Sequence, residues 1–277
     1  ACLVCLLLAG KYIAGYVDSP RWREIRGENA PGLLLVCNAG EEGLGNLKGV
    51  HKICEDYGDR MERFCTFDSS LSSIVDRAVG SKRFRVRVRT RGGHSYNNFG
   101  NDNAIACLAS LVGELYGIRV PEGGKTTYNV GMISGGTSVN TIAQEAEMLY
   151  EFRSDRRENL EYMERQFMKV IDRGKSEGMD VSLEIIGVRP CEGPVDPKRK
   201  QALSDWAHRV VEEMTGQAPK HCAGSTDCNI PLSLGIPSVC VGSFRGAGAH
   251  TREEYVETDS LEEGYKVAFG MIFGSRD

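Results

Sequence analysis

Between Phe84 and Thr90 the chain reads FRVRVRT, apolar and basic residues in strict alternation. A strand with that pattern keeps one face on a core and the other in water, as antiparallel sheets do. The apolar runs on either side of it are different. LLLVC (Leu33 to Cys37), FCTF (Phe64 to Phe67) and SVCV (Ser238 to Val241) have almost no polar positions, which is how strands buried on both faces of a parallel sheet read. A half-wet strand lying between dry ones predicts an α/β domain interrupted by a smaller α+β insert.

The insert can be followed in detail. After the strand from Phe84 to Thr90 come a helix over about Asp102 to Leu115, strands Thr127 to Ile133 and Glu147 to Phe152, a helix over Asn159 to Arg173, and a strand Val181 to Ile186. In the second helix Leu160, Met163, Phe167 and Val170 recur at helical spacing. The order β-α-β-β-α-β is that of a ferredoxin-like unit. Its expected limits are residues 81–192, with 1–80 and 193–277 forming the α/β domain around it. That outer domain is expected to hold helices over Ala1 to Gly15, Leu47 to Tyr57, Lys198 to Thr215 and Asn229 to Leu234, and one from Ser260 onward. The first of these is apolar nearly all round and so predicted to pack between layers, with Leu33 to Cys37 as a buried strand after it.

Composition excludes several classes of function. Basic and acidic residues nearly balance, 34 against 38, for a net charge of −4, so no phosphate backbone is an expected partner. The apolar opening ACLVCLLLAG is cut short by Lys11, too early for a membrane span, and has no basic residue ahead of it as a signal peptide would. The ten cysteines sit in apolar runs, where a thiol behaves as a small core residue, and are read as reduced and cytoplasmic. Cys2 and Cys5 form a C-x-x-C with no second pair at zinc spacing, which favours packing over metal.

Candidate chemistry gathers at the ends of the dry strands. Glu41 and Glu42 follow Leu33 to Cys37 directly, Asp68 ends the next strand, and His250 lies in a loop beyond Ser238 to Val241. Ligands bind outside the carboxyl ends of strands in open α/β sheets, and carboxylate and imidazole are ordinary zinc ligands. Each alone is as well explained by a solvated loop. His51, His208 and His221 belong to no motif and are read as surface or packing residues.

Six segments in order carry a specific resemblance: EEG after a strand, an acidic residue ending the next, GGHS opening the insert, SGGTSVNTIA and EFRSD within it, then STDCNIPLSLGIPSV and the loop GAHTREEY. With these the chain resembles the M20 metallopeptidase family over nearly its whole length. The resemblance implies a zinc-exopeptidase-like α/β catalytic domain interrupted by a lid and dimerisation domain. It implies Glu41 as general base, taking a proton from a metal-bridging water and passing it to the leaving amine, a role worth about 10²- to 10⁴-fold in rate. Glu42 and His250 would ligate one zinc and Asp68 the other. His94 would stabilise the oxyanion in the active site of a partner subunit. Asn140 and Arg153, an amide beside a guanidinium fork, would hold a substrate carboxylate.

The family also places a metal-binding H-x-D and a metal-bridging aspartate ahead of the EEG strand, and neither is present here. The sequence is therefore expected to begin after them, as an N-terminally truncated chain, inactive by itself and unable to hold two zinc ions. The expected activity of the complete protein is zinc-dependent hydrolysis of short peptides by a cytoplasmic homodimer. The alternatives are an N-acyl amino-acid amidohydrolase and, if the upstream ligands are natively absent, a non-catalytic dimerisation or binding module.

Overall fold

A computed structural model describes residues 2–15, 19–20, 32–249 and 251–273. They divide into two compact units, one built from 1–78 and 192–277 and the other from 79–191.

In the first unit a four-stranded sheet runs in the order β1 (Phe64–Ser70), β10 (Ser238–Phe244), β2 (Ser73–Ala78), β9 (Lys220–Gly224). Parallel pairs β1–β10 and β2–β9 meet at an antiparallel seam between β10 and β2. Strand β10 is buried along nearly its whole length, as its unbroken apolar pattern requires. Helix α5 (Pro197–Thr215) covers the sheet with Leu203, Trp206, Ala207, Val210 and Val211. Val267 and Met271 of α7 (Ser260–Phe273) join them around Ile74, Val239 and Val241. Asp196 caps α5 by accepting the Lys198 and Arg199 backbone N–H groups, and Pro197 fills the first turn where no N–H is needed.

Three expectations for this unit change. Strands β2 and β9 are additions: SIVDRA and KHCAG have too few apolar residues to declare a strand, and their neighbours in the sheet decide their state. Helix α1 (Cys2–Ala14) buries only Cys5, Ala9 and Ile13, against Ile272, and leaves Leu3, Val4, Leu7 and Leu8 about half exposed. An all-round apolar helix needs two covering layers, and the described residues supply one. Residues 32–41 form no strand, and Leu33 to Cys37 are exposed, because β1 is paired to β10 alone and no described strand offers the segment a ladder. Helix α2 (Lys48–Tyr57) follows the segment.

The second unit is a four-stranded antiparallel sheet in the order β5 (Thr126–Gly135), β7 (Glu145–Ser154), β3 (Gly80–Arg89), β8 (Asp180–Arg189). Helices α3 (Ala104–Leu115) and α4 (Arg157–Ser176) cover one face, completing the β-α-β-β-α-β order. Phe84, Val86 and Val88 point into that core, with Leu108 and Leu111 of α3 and Met163, Phe167 and Ile171 of α4. Phe84 stacks on Phe167 with ring centroids 4.4 Å apart. On the wet face each arginine of FRVRVR meets a glutamate: Arg83 with Glu151 at 3.2 Å, Arg85 with Glu184 at 2.6 Å, Arg87 with Glu147 at 2.9 Å and Arg89 with Glu145 at 2.9 Å. The basic run is thus the cation half of a cross-strand ladder. The unit's two ends meet, since a Cβ on Gly80 would fall 2.6 Å from the Cys191 Sγ.

No disulfide joins the ten cysteines. Cys37 is an exception to the core reading, exposed with the rest of its segment.

Candidate functional site

Glu41, Glu42 and Asp68 line one cavity of about 800 Å³ in the first unit. Residues 32–38 and Cys2, Leu3 and Leu6 of α1 wall it on one side, Phe64 to Asp68 of β1 on the other. The carboxylates stand on firm backbone. Gly40 turns with φ +80°, and its carbonyl accepts the Lys48 N–H at 3.2 Å, while the Glu42 carbonyl accepts the Gly45 N–H at 2.8 Å. The pair Glu41–Glu42 therefore projects from a closed turn at the start of α2. Asp68 lies near the end of β1, exposed toward the cavity.

A further carboxylate belongs to the same cavity and escaped the sequence reading. Asp227, only 6% exposed, lines it and accepts the Asn38 side-chain N–H at 2.9 Å. It sits in a turn ahead of α6 (Asn229–Ser233), closed where the Asn229 side chain accepts the Thr226 N–H at 2.9 Å and Thr226 Oγ1 accepts the Cys228 N–H at 3.2 Å. The signal was present in STDCN, a single acid in an apolar stretch, where a charge needs a reason. Burial, reinforced by the charge of Asp227, pushes the neighbouring Cys54 thiol up to about 11. That thiol stays protonated and inert at neutral pH.

His250 lies outside the described residues. It falls between β11 (Gly246–Ala247) and β12 (Tyr255–Val256), which pair as a short hairpin after β10. Arg245 at its base is held by both Glu263 carboxylate oxygens, at 2.7 and 2.6 Å. No three His, Cys, Asp or Glu side chains converge among the described residues in a way that would hold a metal ion. Glu42 and Asp68 are of the right chemistry for zinc, but a catalytic zinc usually takes three protein ligands, so the described set does not hold one by itself.

In the second unit His94 is on β4 (Gly93–His94), paired with β6 (Thr141–Ile142). Its Nδ1 accepts the Tyr96 and Asn97 backbone N–H groups at 3.3 and 3.4 Å, and its own N–H donates to Asn98 Oδ1 at 2.9 Å. Gly93, at φ +142°, has no room for a Cβ, which would fall 2.7 Å from that of Asn98. Asn140 is close by: its carbonyl accepts the Ser95 N–H at 2.9 Å, and its side-chain oxygen accepts the Ser138 hydroxyl at 2.8 Å.

Arg153 is not beside Asn140, contrary to the sequence expectation. It pairs in register with Thr127 at one end of β7, whereas Asn140 lies past the other end, where Ala146 pairs with Gly135. Seven strand positions at about 3.3 Å each separate the two ends. Arg153 is also engaged, donating to both Glu151 carboxylate oxygens at 2.8 and 3.1 Å.

Of the unassigned histidines, His208 and His221 form a tie on the far side of the first sheet. Asp76 Oδ2 accepts the Ser204 hydroxyl at 2.8 Å and lies 2.6 Å from His221 Nδ1, and His221 Nε2 lies 2.9 Å from His208 Nδ1. Their rings are within 8° of parallel with centroids 5.1 Å apart, so they meet edge to edge along a hydrogen bond. The cluster joins α5 to β2 and β9, which is the packing role expected of these two.

Comparison with known proteins places this arrangement. Residues 78–179 match the M20 family model described as a peptidase dimerisation domain. The chain is 31% identical over 261 residues to a p-aminobenzoyl-glutamate hydrolase homolog of Haemophilus influenzae, covering 86% of this chain and 59% of that protein. It is 25% identical over 245 residues to the succinyl-diaminopimelate desuccinylase of Nitrosospira multiformis, covering 83% and 63%. In fold it is similar to the aminopeptidase PepT of Bacillus cereus, with a TM-score of 0.65 at 21% identity, covering 85% of this chain and 62% of that one. The chain spans about three fifths of the length of these relatives. With this domain match, these relatives and this fold, the chain belongs to the M20 peptidase family.

Proposed function

We propose that the complete protein hydrolyses an amide bond next to a carboxylate, with Glu41 as general base. The observation that carries this reading is the grouping of Glu41, Glu42 and Asp68 around one cavity on a closed backbone turn and a strand end. Glu41 takes a proton from the attacking water and returns it to the leaving nitrogen. Glu42, Asp68 and His250 are assigned as zinc ligands, to be completed by residues outside this sequence. Zinc, when bound, would polarise the carbonyl and acidify the water. His94 donates from Nε2 to the developing oxyanion, and Asn140 and Arg153 hold the substrate carboxylate from separate ends of the insert. Two subunits associating through the insert would supply both ends to one site, and the match to a dimerisation domain supports that assembly.

The substrate is a short peptide or an N-acyl amino acid. The names of the curated relatives, a desuccinylase and an aminobenzoyl-glutamate hydrolase, favour the second over the exopeptidase reading, since the peptidases resemble this chain below 25% identity, at the level of fold. No helix among the described residues is long and apolar enough to cross a membrane. The test is a panel of N-succinyl and N-acetyl amino acids against di- and tripeptides, run on the complete zinc-loaded protein and on Glu41→Gln. Turnover of the acyl substrates, lost in Glu41→Gln at unchanged zinc content, is the expected result. Retained turnover in Glu41→Gln would remove Glu41 from its role.

A further inference from the structure

We infer that Asp227 is a positioning residue, which fixes the turn carrying Glu41 and Glu42 at the cavity through its hydrogen bond to Asn38. The inference rests on the proposed role of Glu41.

Three observations lead to it. The turn is anchored downstream, where the Gly40 carbonyl accepts the Lys48 N–H at 3.2 Å and the Glu42 carbonyl accepts the Gly45 N–H at 2.8 Å. Upstream the situation differs, because residues 32–40 belong to no strand among the described residues and have no ladder to set their course. Asn38 is two residues ahead of Gly40, and its side chain reaches Asp227 at 2.9 Å, 189 positions along the chain. The second observation is burial. Asp227 is 6% exposed, and an ionised carboxylate taken that far from water is retained only where hydrogen bonds compensate it. A charged acceptor also makes the stronger kind of hydrogen bond, suited to holding a segment that lacks backbone pairing. The third is the footing of Asp227 itself. Its turn is closed by Asn229 and Thr226, so the acceptor does not drift with the segment it holds.

This bond orients the general base without touching the substrate. A base displaced by about 1 Å loses on the order of 100-fold in rate, which sets the size of the effect to look for.

The experiment uses the complete protein and four variants: Asn38→Ala, Asp227→Ala, their combination, and Asp227→Asn. Each alanine variant is expected to lower kcat about 10- to 100-fold with KM nearly unchanged. The combination should be no slower than the worse single variant by more than about twofold, since both remove one bond. Asp227→Asn keeps an oxygen that accepts the Asn38 N–H and should recover most of the loss. Hydrogen exchange supplies a readout independent of turnover: the Gly45 and Lys48 amides should exchange faster in both alanine variants and to the same extent in the pair. Multiplying losses, a normal kcat in Asn38→Ala, or unchanged exchange at those amides would each overturn the inference. Asn38 is exposed, so its variant remains informative if Asp227→Ala fails to fold. Glu41→Gln separates the two proposals: normal turnover there rejects the base while exchange still decides the clamp.

Discussion

His94 Nδ1 accepts the backbone N–H of Tyr96 at 3.3 Å, which leaves the ring proton of the neutral imidazole on Nε2. The insert thus presents an aimed N–H donor, as an oxyanion requires. If that donor serves the other subunit, inactive His94→Ala and inactive Glu41→Gln should complement when subunits are exchanged. A mixed dimer holds one intact site, so random exchange should recover about a quarter of wild-type activity. Absence of recovery, with exchange of subunits verified by mass, would place His94 in its own subunit's site or outside catalysis.

Glu151 is expected to make the insert's stability pH-dependent. Burial alone would raise its pKa, but hydrogen bonds and charge from Arg153, joined by Arg83, outweigh that and hold it below the ordinary 4.5. A depressed folded value means the stabilisation is fully present above the unfolded value and lost as pH falls through the folded one. Urea midpoints of the wild type and Glu151→Gln should therefore differ at pH 7 and converge toward pH 3. A constant difference across that range would show that the pair does not carry the effect.

Tyr150 buries a hydroxyl for which no hydrogen-bond partner is found among the described residues, while its ring lies 5.2 Å from Phe167 at 10°. Burial also pushes its phenol well up, so it stays neutral. Tyr150→Phe keeps the stacking and removes the unmatched group. Stability should hold or rise by up to about 1–2 kcal/mol, measured by urea unfolding. A loss beyond 1 kcal/mol or so would reveal a partner for the hydroxyl.

Gly264 tests packing against propensity. In an exposed helix Gly→Ala gains about 1 kcal/mol, yet here the added Cβ would fall 1.8 Å from the Ser243 carbonyl oxygen of β10. Gly264→Ala should accordingly destabilise by at least about 1–3 kcal/mol, with a lower thermal midpoint. A stabilised variant would mean that α7 stands further from β10.

The two units were unequally legible in the sequence. Every strand and helix of the second unit had a local signature, because each lies half in water and shows its period, as Phe84 to Thr90 and Leu160 to Val170 do. In the first unit burial on both faces erases the period, so Leu33 to Cys37 read as a strand on composition while the described residues leave it without a partner. Strands β2 and β9 were missed for the converse reason, since their neighbours and not their side chains make them strands. The candidate site divides the same way. Glu41, Glu42 and Asp68 were visible because strand ends are predictable from the chain, whereas Asp227 needed the Asn38 contact to disclose it. The separation of Arg153 from Asn140 follows from register, which spacing along the chain does not reveal.

The contact between Gly80 and Cys191 has a consequence for how such a protein can be taken apart. A segment that starts and stops at the same place behaves as a cassette: it can be lifted out, carried alone on a plasmid as residues 79–191, or set into the surface loop of an unrelated host without stretching either. The same geometry gives evolution a way to append a second folded body to an enzyme in one recombination event, with little disturbance to the order of folding in the host.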